Sequence, residues 1–351
     1  MSRARRKQDH IEYALSTGFS AESSLDDIQF VHQSLPDSAS LYTDASVEIG
    51  GLSLSSPILI NAMTGGGGSE TAAVNASLAE AAAATGVAMA VGSQTSAIKN
   101  EQESYTYKVV REKNPDGVIF ANTGSEVSVE QAAQAVEMIQ ADALQIHLNV
   151  IQELVMPEGD RDFQGALDRI GRIANELSVP VIVKEVGFGI SFETAAKLRS
   201  SGVAVIDAGG SGGTNFSMIE NKRRERPFAF FDQWGIPTAA AIAETVHAWH
   251  PGSVIGSGGV RHGLDVARII ALGGSASGMA GAVLREAKDS GAEGAASFLR
   301  QVQEELKTVM TAVGAQNINE LQRAPIVLRG ETAHWLKERG IDTSVYSRRS
   351  I

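Results

Sequence analysis

Ala143-Leu144-Gln145-Ile146-His147-Leu148-Asn149-Val150-Ile151-Gln152-Glu153 is the stretch whose reading governs the rest of the chain. Residues 143–146 form an apolar run that reads as a buried strand. The run then gives way to His147, Asn149, Gln152 and Glu153, side chains that can donate, accept, carry a proton or bind a metal. In a parallel α/β enzyme the side chains at the C-terminal end of a strand face the site. One short segment therefore predicts both a barrel-type strand and the position of the chemistry.

Similar apolar runs recur along the chain, at 57–61, 87–91, 118–122, 143–147, 181–184, 203–207, 254–257 and 276–279. Amphipathic, Ala-rich segments lie between most of them, at 71–84, 129–139, 163–177, 192–200 and 264–272. Ser128 with Gln131 forms a capping box, and Ser191 precedes another helix start. Gly86, Gly202 and Gly273 stand at helix ends. Strict β–α alternation requires a parallel sheet, and eight such units in about 230 residues predict a (β/α)8 TIM barrel. The chain divides into an N-terminal arm, 1–56, a barrel, about 57–290, and a C-terminal helical extension, about 291–351. In the arm, 47–54 reads as a hairpin turning at Gly50-Gly51. The long connection 215–238 carries Lys222, Arg223, Arg224 and Arg226, then Phe228, Phe230, Phe231 and Trp234, and is expected to act as a lid.

Composition narrows the function. Lys and Arg number 30 against 41 Asp and Glu, a net charge of −11, which argues against nucleic acid as a partner. The chain has no cysteine, so disulfides, thiolate nucleophiles and Cys-ligated metals are excluded. No apolar stretch is long enough to span a bilayer. The basic start, Met1 to Lys7, is followed by Gln8-Asp9-His10 where a signal peptide needs an apolar core. A cytoplasmic protein is expected.

Glycines crowd the ends of particular strands. Met63-Thr64-Gly65-Gly66-Gly67-Gly68 follows the first, and Gly209-Gly210-Ser211-Gly212-Gly213-Thr214 the sixth. Gly258-Gly259-Val260-Arg261 follows the seventh, and Ala280-Gly281 the eighth. Such loops let a backbone approach a ligand and offer N–H groups to phosphate, and the loops after strands seven and eight are the usual barrel phosphate site. Lys184 ends an apolar strand inside the barrel mouth, where its ammonium needs a partner: an electron-rich ring, a carbonyl substrate, or a carboxylate such as Glu185. Glu153 reads either as a carboxylate that holds Mg²⁺ beside phosphates or as a surface glutamate opening a helix. A lone histidine is more often structural than functional. His147 has Asn149 and Gln152 beside it, which favours the functional reading.

Taken together these segments resemble the type 2, flavin-dependent isopentenyl diphosphate isomerases. The matching pieces are Arg6-Lys7-x-Asp9-His10-Ile11, Met63-Thr64-Gly65-Gly66, His147-Leu148-Asn149 with Gln152-Glu153, Lys184-Glu185-Val186-Gly187-Phe188-Gly189, and Gly210-x-Gly212-Gly213-Thr214. Ser257-Gly258-Gly259 and Gly278-Met279-Ala280-Gly281 complete the set. The one departure is Gly209, where some members carry serine. The resemblance implies an FMN- and Mg²⁺-dependent interconversion of isopentenyl diphosphate and dimethylallyl diphosphate, with NADPH or NADH reducing the flavin, in a homotetramer or larger homo-oligomer. It implies FMN contacts from Ala62, Met63, Thr64, Ser93, Asn122, Lys184, Thr214, Gly258, Gly259, Ala280 and Gly281. Arg6, Lys7, His147, Asn149 and Gln152 would meet the substrate, chiefly at its diphosphate. His147 and Gln152 would be catalytic, and Glu153 would hold the metal.

The glycine loops also suit an FMN-dependent 2-hydroxy acid oxidase. That family carries a catalytic histidine just before the glycines after the sixth strand, where this chain has Ala208 and Gly209. A Schiff-base aldolase using Lys184 would be colourless. A non-catalytic flavin or nucleotide sensor would not need His147, Gln152 and Glu153 together.

Overall fold

Inward and outward residues alternate along every barrel strand, and the alternation sorts the interior into an apolar floor and a polar mouth. The computed structural model describes residues 23–249 and 251–351. In chain order the strands are β1 (Ile28–Phe30), β2 (Val47–Ile49), β3 (Leu52–Leu54), β4 (Ile58–Ile60), β5 (Ala88–Ala90), β6 (Ile119–Gly124), β7 (Ala143–Leu148), β8 (Val181–Glu185), β9 (Val205–Asp207), β10 (Ser253–Ser257), β11 (Ala276–Met279) and β12 (Ile326–Leu328). Strands β4 to β11 close into a parallel barrel in sequential order, β11 pairing back onto β4. The TIM barrel expected from the sequence is the fold observed, and each of the eight barrel strands lies within two residues of its expected limits.

The side chains of Leu59, Ala88, Ala90, Phe120, Ala143, Ile182, Val205, Ile255 and Ala276 form one buried cluster inside the barrel. Their neighbours in sequence, such as Ile58, Met89, Ile119, Leu144, Val181 and Ile206, join the larger cluster beneath the helices. This period of two is the pleat of a strand buried on both faces. The hairpin β2–β3 plugs the floor: Ile49 and Leu54 pack into the interior cluster. Burying each such side chain contributes roughly 1.5–3 kcal/mol. The turn is Gly50-Gly51, with φ of 54° and 85°, as a two-residue hairpin loop demands.

Helix starts and stops match the sequence signals. At helix Val129–Ile139 the Ser128 hydroxyl accepts from the Gln131 N–H and the Gln131 side chain accepts from the Ser128 N–H. Ser191 caps helix Phe192–Leu198. Gly86 takes the left-handed conformation, φ 71°, after helix Ser69–Thr85. After β11 comes helix Gly281–Val313, which breaks at Gly291, φ 65° and ψ −159°. One pairing was not anticipated. β1 joins β12 antiparallel, Ile28 opposite Leu328, so the arm and the extension share a small sheet. Both strands are only three residues long, too short for alternation to distinguish them from loop. The arm is further held to the mouth side of the barrel. The Arg261 guanidinium, just beyond the glycines after β10, pairs with Asp26 at 2.7 Å.

Candidate functional site

Two residues beyond the apolar floor, six inward positions turn polar: Asn61, Asn122, Gln145, Lys184, Asp207 and Ser257 stand one pleat above Leu59, Phe120, Ala143, Ile182, Val205 and Ile255, and His147 stands one pleat further along its strand. Above them opens a cavity of about 750 Å³, in the size range of cofactor sites. It is lined by His147, Asn149, Gln152 and Glu153 from the end of β7, and by Lys184 from β8. Ala62, Met63, Ser93, Asn122, Thr214, Gly258, Gly259, Ala280 and Gly281 complete the lining from the other strand ends. Thr64 does not join them. Its hydroxyl is turned away, donating to the Asn75 side chain, and its carbonyl accepts from the Gly92 N–H at 2.7 Å. Arg6 and Lys7 lie outside the described residues.

Lys184 is 6% exposed, and its ammonium donates to the Glu185 carbonyl oxygen at 2.7 Å. The Glu185 carboxylate takes another course. It accepts from the N–H groups of Gly187, Phe188 and Gly189. Burial pushes its carboxyl up to about 7, against those N–H donors and the Lys184 charge. The His147 Nδ1 lies 2.9 Å from Asn122 Oδ1. Burial first, then the neighbouring Lys184 ammonium, holds the imidazole down to about 4, with the Thr123 backbone pulling the other way. His147 is therefore neutral at pH 7 and brings no positive charge to an anionic ligand.

That depressed pKa has a sign-specific consequence. The unfolded chain takes up its proton near pH 6.5, while the folded protein takes it up near 4. Between these values the unfolded state holds more protons, so stability is lost as the pH falls through the window. The full loss is at most on the order of 3 kcal/mol, and less where cavity water solvates the ring. Unfolding midpoints of wild type and His147→Gln, measured at pH 7 and pH 4.5, should converge on the acid side. Parallel shifts would contradict the assignment.

Glu153 sits in the first turn of helix Val150–Val155. Its two oxygens accept from the Asn149 side-chain amide and the Asp160 N–H, each at 2.9 Å. Burial raises its pKa, opposed by those two donors. Gln152 donates to Glu220 at 3.3 Å. Glu220 is fully buried and also accepts from Arg223. The connection 215–238 thus forms a wall of the cavity. Phe216 and Arg223 line it, and the Asp232 carboxylate ties the segment together by accepting from Ser217 and Asn221 at 2.6 Å each.

The glycine loops are close-packed backbone. A Cβ on Gly258 (φ 116°) would lie 2.2 Å from the Gly210 oxygen, and one on Gly259 (φ 71°) 2.0 Å from the Gly212 oxygen. The loops after β9 and β10 can interlock only without side chains, which leaves their edge as bare backbone facing the cavity. Beside them helix Gly281–Val313 opens at the cavity wall with Gly281 and Ala282. Its first N–H groups have no partner within the helix.

Asn61, Gln145, Asp207 and Glu220 were not singled out from the sequence. For the first three a signal existed: each is polar at an inward position of an otherwise apolar strand, in phase with Asn122, His147 or Lys184. Glu220 had none, since its role depends on how a long connection folds back.

Comparison with known proteins agrees with this architecture. Residues 110–328 match the family model described as FMN-dependent dehydrogenase. The isopentenyl-diphosphate delta-isomerase of Bacillus pumilus (strain SAFR-032) is 55% identical, the match covering 100% of this chain and 99% of that protein. The protein of the same name from Geobacillus sp. (strain WCH70) is 56% identical over 99% of each chain. Among solved structures, a mandelate oxidase superposes with a TM-score of 0.64 at 16% identity, over 93% of this chain and 97% of that one. A lactate oxidase from Pediococcus acidilactici gives 0.65 at 17% identity, over 93% and 94%. At such identity these two structures bear on the fold alone. The fold and the family model define an FMN-dependent dehydrogenase-type barrel. Within that class, the chain belongs to the type 2 isopentenyl-diphosphate delta-isomerase family.

Proposed function

We propose that this protein interconverts isopentenyl diphosphate and dimethylallyl diphosphate, with FMN seated in the barrel mouth and Mg²⁺ on the diphosphate. The observation that carries the reading is the meeting of a buried ammonium, a neutral imidazole, an amide–carboxylate pair and side-chain-free loops around one cavity. The residues fit FMN. The interlocked loops at Gly258 and Gly259 and the helix start at Gly281 suit a phosphate. Lys184, already short of water, suits the electron-rich edge of a ring system. Ala62, Met63, Ser93, Asn122, Thr214 and Ala280 would complete the seat, with Thr64 acting through the shape of its loop. When bound, reduced FMN supplies proton exchange with an alkene that no side chain here is acidic enough to protonate. NADPH would maintain that reduced state while the net reaction stays redox-neutral.

The chain's own part is positioning. The reacting carbons of such a substrate offer no hydrogen-bonding handle, so orientation must come from the diphosphate. Glu153 fits a Mg²⁺ held by one carboxylate together with substrate phosphates and water. No group of three or more acidic or histidine side chains suited to a metal occurs among the described residues, which favours that arrangement over an all-protein cage. Gln152, oriented by Glu220, would face the carbon chain with His147, and Asn149 would hold Glu153 in place.

The experiment is an anaerobic isomerisation assay with and without NADPH, read beside an absorption spectrum of the purified protein. A bound flavin and activity only after reduction are expected. Equal activity in flavin-free protein would overturn the reading.

A further inference from the structure

The polar mouth contains a line of hydrogen bonds that crosses the barrel interior. It begins at Asp207, fully buried, whose carboxylate meets the Asn61 Nδ2 at 2.7 Å and the Ser257 hydroxyl at 2.5 Å. Lys184 stands opposite Asp207 in the register of β8 and β9. From Asn61 the line passes to Gln145, Nε2 to Oδ1 at 3.2 Å. The Asn122 Nδ2 then donates to Gln145 Oε1 at 3.1 Å, and Asn122 Oδ1 meets His147 Nδ1 at 2.9 Å.

The direction of this line is fixed at one end. A carboxylate only accepts, so Asn61 must turn its amide nitrogen to Asp207. The Ala62 backbone N–H, which only donates, lies 2.9 Å from Asn61 Oδ1 and demands the same orientation. Asn61 Oδ1 therefore needs a donor from Gln145, which leaves Gln145 Oε1 to accept from Asn122. Asn122 is then left with its oxygen towards His147, and a carbonyl oxygen can only be met by a ring N–H. The proton therefore belongs on Nδ1.

We propose that Gln145 is a positioning residue: it carries the polarity set at Asp207 and Asn61 to His147, holds the imidazole as the Nδ1–H tautomer, and so presents a bare Nε2 as a proton acceptor in the cavity. Gln145 itself is fully buried and lies outside the cavity lining, so it acts only through its neighbours. The relay alters one expectation. A bare Nε2 cannot donate to a phosphate oxygen, so His147 serves the reacting end of the ligand and not its diphosphate. The tautomer follows from hydrogen-bond polarity alone; its use in turnover rests on the proposed isomerase reading.

Neutron diffraction from the deuterated, FMN-loaded wild-type protein reads each proton of the line. Deuterium on Nδ1, none on Nε2, and the amide orientations above are expected; deuterium on Nε2 alone overturns the proposal. Two variants separate polarity from packing, each followed by ¹⁵N spectra of labelled histidine. Gln145→Met fills the space without a dipole and should release the ring to a mixture of tautomers. It should lower kcat by roughly tenfold to 100-fold, the scale of a lost orienting partner and less than the about 100- to 10,000-fold of a proton acceptor removed outright, with KM little changed. Gln145→Glu still accepts from Asn122 and should keep Nδ1–H, although burying a carboxylate lowers thermal stability. A structural role alone gives the opposite ranking, with the methionine variant the better enzyme and an unchanged His147 spectrum in both. Should neither variant turn over substrate while the wild type shows no isomerase activity either, the diffraction and the spectra still decide the tautomer.

Discussion

Glu153→Gln is expected to abolish the Mg²⁺ dependence of turnover and to lower kcat/KM by at least roughly 100-fold, taking loss of a direct ligand to exceed the 10–100-fold typical of its supporting groups. The substitution keeps the shape of the side chain and can keep the Asn149 hydrogen bond, so its effect isolates the charge. The surroundings show why the charge matters. Burial has already raised the Glu153 pKa, which means the ionised form lacks a counter-charge that a cation would supply. FMN absorbance and thermal stability should be unchanged, because Glu153 stands at the rim and not among the interlocked loops. A Mg²⁺ titration of wild type and variant measures this. Indistinguishable titrations at full activity would return Glu153 to a helix-opening carboxylate stabilised by the dipole.

Much of the architecture was legible because two periodicities run through the chain. The apolar runs at 57–61 through 276–279 alternate with helices whose caps are written in single residues, Ser128, Ser191 and Gly86. Each cap acts locally, so no distant contact was needed to read it. The site was legible where polar residues crowd a strand end, as at His147 to Glu153. It was less legible inside the strands. Gln145 reads as one polar residue in an apolar run, and only the register of β7 against β6, with the barrel closure that brings the end of β4 across from it, shows it bridging Asn61 and Asn122. Glu220 and the pairing of β1 with β12 depend on contacts between residues far apart in sequence. The glycines were read as ligand-binding loops. Gly258 and Gly259 in fact face other glycines at backbone contact, a packing demand that comes before any ligand and is invisible in one strand's sequence.

Removing both charges at the N-terminus, Arg6→Ala with Lys7→Ala, is expected to raise KM by roughly 100-fold or more, since each charge-assisted bond to phosphate contributes about 1.5–3 kcal/mol. The charge at the mouth supports this. Among the described lining residues, Glu126, Glu153, Glu158, Asp160, Asp162 and Glu185 face Lys99, Arg169, Lys184 and Arg223. That is six carboxylates against four cations, and even with the Glu185 carboxyl at about 7 and only partly ionised, negative charge is in excess where a diphosphate would bind. Arg223 is further committed to Glu158 and Glu220. A diphosphate in these surroundings would gain from added positive charge, and Mg²⁺ with Arg6 and Lys7 would bring it. The route is available. Ser24 accepts from the Ala239 N–H at 3.0 Å, and Asp26 pairs with Arg261, so the arm starts from the mouth side. At roughly 3.3 Å per extended residue the preceding segment is long enough to reach a barrel mouth, its own or a neighbour's. Steady-state kinetics at several ionic strengths separate a binding role from a general field. A direct pair of contacts raises KM with kcat nearly intact and weakens the salt dependence of wild type. Kinetics matching wild type at every salt concentration would make the segment a solvated tail, and the excess negative charge would then count against a diphosphate substrate.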